Sequence, residues 1–70
     1  MKNYAQNLAN NIKKLRKINN LTIKELSQKT GINACFLIKI EQAKAKRIFL
    51  KHIDSFCKCF KVGIKELFDS

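Results

Sequence analysis

Proline is absent from this 70-residue chain and glycine occurs only at Gly31 and Gly63, so few positions can break a helix through backbone geometry alone. Nowhere do apolar residues approach the run of about 18 that a membrane-spanning helix needs. The opening stretch MKNYAQNLANN has one early lysine and then polar amides, which is not the pattern of a secretory signal. A cytoplasmic location is therefore expected. Repeats, low-complexity tracts and linkers are also lacking, and residues 1–70 read as one domain. At this length only about 60% of the unfolded surface is buried on folding, which leaves little body for a deep active-site cleft.

Residues that carry chemistry are sparse too. The three cysteines are odd in number, which argues against a disulfide framework, and no C-x2-C or Cys/His spacing of a zinc site occurs. Cys57 and Cys59, two apart on a helix, would point about 200° apart around its axis, so they cannot hold one ion together. Cys35 and His52 do not complete a ligand set. A buried cysteine behaves as a small apolar residue, and no metal or other cofactor is expected. His52 reads as a surface residue at the start of a helix. Ser27, Ser55 and Ser70 have no base beside them in a helical reading, so no catalytic grouping emerges. The chain is not expected to be an enzyme.

Acidic residues are the scarcest charged type: five against fifteen basic ones, for a net charge of +10. The imbalance is confined to one part. Residues 1–52 hold twelve cations against Glu25 and Glu41, whereas Lys58, Lys61 and Lys65 are cancelled by Asp54, Glu66 and Asp69. A basic surface of this kind attracts polyanions at long range. Charge alone would suit DNA, RNA or an anionic membrane, and a merely solvated lysine-rich surface is the plain alternative. A basic amphipathic membrane binder is disfavoured, because the apolar stripes are needed for a core.

What is present is helical throughout. Tyr4, Leu8, Ile12 and Leu15 form one stripe at helical spacing, and Asn19-Asn20 ends that helix, asparagine being tolerant of left-handed backbone. Thr22 and Glu25 have the spacing of a capping box, in which each side chain satisfies a backbone N–H that the new helix leaves open. Leu26 and Thr30 continue one face of this second helix. Gly31 stands where it should stop in the left-handed conformation, and Asn33 is placed to cap a third helix, with Ile32, Leu37 and Ile40 turned inward. A short basic connection, residues 42–47, leads to a fourth helix marked by Leu50, Ile53, Cys57 and Phe60. Val62-Gly63 breaks it, and Ile64, Leu67 and Phe68 form a short fifth helix that Glu66 helps to cap. The fold class is all-α, a compact five-helix domain.

Two short helices joined by a tight glycine turn over Thr22 to Glu41, the second free to enter a groove, make a helix-turn-helix. The arrangement resembles the phage-repressor type (Cro/cI-like, or XRE, the lambda-repressor-like DNA-binding domain). The likeness covers about residues 8–68. It rests on Leu15-Arg16 in the first helix, the segment LTIKEL, the turn Gly31-Ile32-Asn33, the pair Ile40-Glu41 and the stretch from Val62 to Leu67. The resemblance implies a bridge between Arg16 and Glu41, and it implies a transcriptional regulator that binds double-stranded DNA, cytoplasmic and nucleoid-associated, of a bacterium, phage or mobile element. The recognition helix, about 33–42, would lie in the major groove.

Several positions depart from the family's pattern. The glutamine that usually opens helix two is Ile23, and the usual glycine after the helix-three glutamate is Ala43. The positions matching base-contacting residues are Ala34, Cys35 and Lys39, joined by Asn33 at the cap. Of these, Lys39 is the strongest hydrogen-bonding reader, while Ala34 and Cys35 suit thymine methyl groups. Backbone contact would fall to Thr22 and Lys24 and to the basic loop 44–47 through Lys44, Lys46 and Arg47. Modest base specificity leaning toward A·T-rich sites follows. The apolar residues Cys35, Phe36 and Ile38 admit a second reading, an antitoxin or adaptor that meets a protein partner there; alternatively Phe36 packs sideways against helix two and the patch shrinks. A homodimer through residues 64–68 is expected, unless Leu67 and Phe68 simply close the core.

Overall fold

Five helices occupy residues 3–69, the part that the computed structural model describes, and no strand occurs among them. They are α1 (Tyr4–Ile18), α2 (Ile23–Thr30), α3 (Ala34–Glu41), α4 (Leu50–Phe60) and α5 (Ile64–Phe68). Lys2, counted above among the cations, and Ser70 lie outside the described residues. Leu8 and Ile12 of α1, Leu26 of α2, Leu37 and Ile40 of α3, Ile53, Phe56 and Phe60 of α4, and Leu67 of α5 form one core, joined by Ile32 from the turn. Burying each such side chain contributes about 1.5–3 kcal/mol.

The turn between α2 and α3 is closed by local bonds. Gly31 sits at φ 75°, and its N–H donates to Ser27 O at 2.8 Å. The Thr30 hydroxyl donates to Leu26 O at 2.8 Å and accepts from Ile32 N–H at 3.2 Å, while Ser27 Oγ donates to Ile32 O. Thr22 Oγ1 accepts from Glu25 N–H at 3.1 Å, and Thr22 N–H donates to Glu25 Oε1 at 2.9 Å. Hydrogen bonding from Thr22, its backbone N–H foremost, holds the Glu25 carboxyl below the usual carboxylate range.

Arg16 ties three elements together. Its Nε and Nη2 donate to Glu41 Oε2 at 2.7 Å and Oε1 at 3.0 Å, and its Nη1 donates to Leu21 O at 2.9 Å. Glu41 is the one buried charged residue among those described, and the pair joins α1 to α3. Hydrogen bonding to Glu41 raises the Arg16 pKa further. At the other end of α1, Asn7 Nδ2 donates to Phe68 O at 3.2 Å, and Asn11 Nδ2 donates to Leu67 O at 2.8 Å and Asp69 O at 2.7 Å. These amides satisfy carbonyls that the short α5 leaves open at its end.

Three helices, α1, α3 and α4, end through left-handed backbone without glycine. Left-handed backbone occurs at Asn20 (φ 55°), Ala43 (φ 58°) and Lys61 (φ 57°). After α1, Leu21 N–H reaches Arg16 O and Asn20 N–H reaches Lys17 O; after α3, Lys44 N–H reaches Lys39 O and Ala43 N–H reaches Ile40 O. Both are Schellman closures. The break after α4 therefore falls at Lys61, one residue before the Val62-Gly63 expected from sequence, and Gly63 (φ −85°) instead begins α5, its N–H donating to Glu66 Oε1 at 3.3 Å.

The apolar stripes also differ in phase from expectation. In α4 the buried line is Ile53, Phe56 and Phe60; Leu50 is 80% exposed and Cys57 only half-buried. Tyr4, placed on the apolar stripe of α1, is also exposed, as is Ile64. Each of these three is the first residue of its helix. Side chains lean toward a helix's N-terminus, so a first residue projects beyond the end of the helix and past the core.

Candidate nucleic-acid interface

With Leu37 and Ile40 committed to the core and Phe36 half-buried, α3 turns Cys35, Ile38 and Lys39 outward, and its capping residue Gln42 is exposed as well. Ala34 lies half-buried on the flank. Asn33 caps the helix: its Oδ1 accepts from Cys35 N–H at 2.8 Å and Phe36 N–H at 3.4 Å. Its oxygen is thus occupied and only the Nδ2 donor is free, whereas paired recognition of adenine needs a donor and an acceptor together. Gln42 has both amide atoms unbonded among the described residues. It is a reader type that inspection of the sequence left out, although its place at the end of α3 was visible.

Phe36 packs against the core, and its ring lies against His52 of α4, centroids 4.9 Å apart; His52 in turn meets Phe49 at 5.8 Å. His52 is accordingly half-buried rather than a plain surface residue. The apolar patch on α3 is reduced to Cys35 and Ile38, which is 43% exposed. A patch of two side chains is normal for any protein surface.

Along one side of α3 runs an open groove, continued by the connection to α4 and by the first turns of α4. Asn33, Lys39, Gln42, Lys44, Lys46, Arg47, Lys51 and His52 line it, and no carboxylate does. None of its five cations forms an ion pair among the described residues, where the pairs are Arg16–Glu41 and the exposed Lys58–Asp54. Lys51 Nζ stands 6.0 Å from the centre of the Phe49 ring. The groove thus gathers Asn33 and Lys39 with Lys44, Lys46 and Arg47, and adds Lys51, His52 and Gln42. Thr22 and Lys24 lie outside it, exposed at the start of α2.

The family model for the Cro/C1-type HTH DNA-binding domain matches residues 11–70. The chain belongs to this family. The Cro/C1-type chain is also similar in structure to an HTH_3 family transcriptional regulator from Vibrio cholerae, with a TM-score of 0.82 at 22% identity over 93% of its own length. It spans 36% of that protein. No curated protein matches the sequence.

Other chemistry is not gathered. Cys35 is exposed and Cys57 and Cys59 are half-buried and free; burial pushes both of the latter thiols up in pKa, which keeps them protonated. Among the described residues no three of His, Cys, Asp or Glu come together as a metal site, and no helix is long and apolar enough to cross a membrane. A separate hollow lies where Tyr4, Leu50, Ile64 and Phe68 meet, rimmed by Ile48 and by the single cation Lys46.

Proposed function

We propose that this Cro/C1-type domain acts as a transcriptional regulator that lays α3 in the major groove of duplex DNA and clasps the phosphates on either side. The observation that carries this reading is the acid-free groove of five unpaired cations beside the outward face of α3. Lys39 reads base edges, assisted by Asn33 through its free donor and by methyl contact from Cys35 and Ala34. Thr22 and Lys24 hold the backbone on one side, and Lys44, Lys46 and Arg47 hold it on the other. With only Lys39 and the Gln42 amide as strong polar readers, base specificity is modest. The rival reading, a protein interface on Cys35, Phe36 and Ile38, has less support now that Phe36 is turned against His52.

Binding in pairs belongs to the same proposal. Two recognition helices about 34 Å apart meet successive turns of the major groove, and the domain's longest extent is 33 Å. Leu67 and Phe68 of the expected segment 64–68 are engaged in the core, so the surface that α5 leaves for a second copy is Ile64, extended by Tyr4 and Leu50.

The division of labour is tested by two substitutions measured over a panel of duplexes. Lys46→Ala should weaken every duplex alike and lower the salt slope by about one. Lys39→Ala should also flatten the preference between sites. Equal behaviour of the two variants would show Lys39 to be a further phosphate contact and remove the proposed reader.

A further inference from the structure

We infer that His52 is a phosphate-contacting donor of the interface, held as one tautomer by its own helix; the inference rests on the DNA-binding reading above. Phe49 N–H donates to His52 Nδ1 at 3.1 Å. A ring nitrogen that accepts an N–H carries no proton, so in the neutral ring the hydrogen must sit on Nε2. Burial, and then the nearby Lys51 charge, push the His52 pKa down, which favours this neutral form at and above pH 7. Nε2 has no partner among the described residues, and it is not a buried unsatisfied atom, so it is open to solvent. The ring borders the cationic groove between Lys51 and the loop that carries Lys46 and Arg47. Packing between Phe36 at 4.9 Å and Phe49 at 5.8 Å fixes the plane of the ring. A fixed uncharged N–H donor among cations is suited to a phosphate oxygen, because the cations draw the anion in and the donor gives it a direction.

Three variants measured at pH 8 separate this role from a structural one. His52→Ala removes donor and cap and should weaken all duplexes about tenfold, the lower end of what a hydrogen bond to a charged group contributes. Because no charge is lost, the slope of log K against log salt should not change, unlike that of Lys46→Ala. His52→Gln offers an oxygen to Phe49 N–H and an amide N–H outward, as in a capping box, and should bind within about twofold of the parent chain. His52→Glu keeps the cap and should melt no lower than the parent, yet bind more weakly than His52→Ala. Should His52→Ala fail to fold, the Gln and Glu variants carry the comparison. Parent-like affinity in His52→Ala, alongside a loss in Lys46→Ala, would overturn the inference and leave the DNA-binding reading standing. So would a folded His52→Gln that binds as weakly as His52→Ala. A parent chain that binds no duplex would overturn both.

Discussion

Left-handed backbone at Ala43 is a cost that this chain carries for having two glycines. An L-residue with a Cβ pays about 1–2 kcal/mol in that conformation, and asparagine, as at Asn20, pays less. At Gly31 a Cβ would meet nothing within 4 Å, so the backbone alone decides the effect there. Gly31→Ala should therefore destabilise the domain by about 1 kcal/mol, while Ala43→Gly should stabilise it by up to about 1 kcal/mol, net of the entropy that glycine adds to the unfolded chain. In a domain of this size each change moves the melting temperature by about 4–8 °C per kcal/mol, with opposite signs. A lower melting temperature for Ala43→Gly would contradict the account of the α3 closure. At this scale the sequence was readable wherever the partners were close. Thr22 with Glu25, Gly31 and Asn33 all do what their spacing implies. The packing of His52 was not legible, because its partner Phe36 lies sixteen positions away and nothing local announces their contact.

The bridge from Arg16 to Glu41 decides how α1 and α3 sit together. Glu41 is 8% exposed, and Glu41→Gln would leave the guanidinium half-satisfied in a partly buried place. Breaking such a pair costs about 3 kcal/mol, a large share of what a domain of this size holds in reserve. The melting temperature of Glu41→Gln checks this, and an unchanged value would mean that the bridge contributes nothing net. Five helices and their order were legible from period and caps, but the phase of α4 was not. The pattern at Leu50, Ile53, Cys57 and Phe60 and the pattern at Ile53, Phe56 and Phe60 both have helical spacing. Only the end of the core, which Leu50 overshoots, separates them. For the same reason Tyr4, on the α1 stripe by spacing, lies exposed. The role of Asn7 and Asn11 in holding the end of α5 was also hidden, because it links positions more than fifty apart.

At the scale of the whole molecule, the uneven charge was plain in the composition, and the fold turns it into a surface. Residues from α3, the connection and α4 come together as the cationic groove, while Tyr4, Leu50 and Ile64 collect at a hollow with one cation on its rim. Two copies meeting at that hollow bring little like charge together. Sedimentation at micromolar concentration should show two chains on one duplex, and a monomer with and without duplex, one chain bound, would refute the pairing. The central claim is that the groove neutralises DNA phosphates. It is tested most directly by binding to random duplexes across a salt series. With about five cations on phosphates (Lys24, Lys44, Lys46, Arg47 and Lys51), log K should fall against log salt with a slope of roughly −4.5 per bound chain. An affinity that stays flat from low to moderate salt would contradict it.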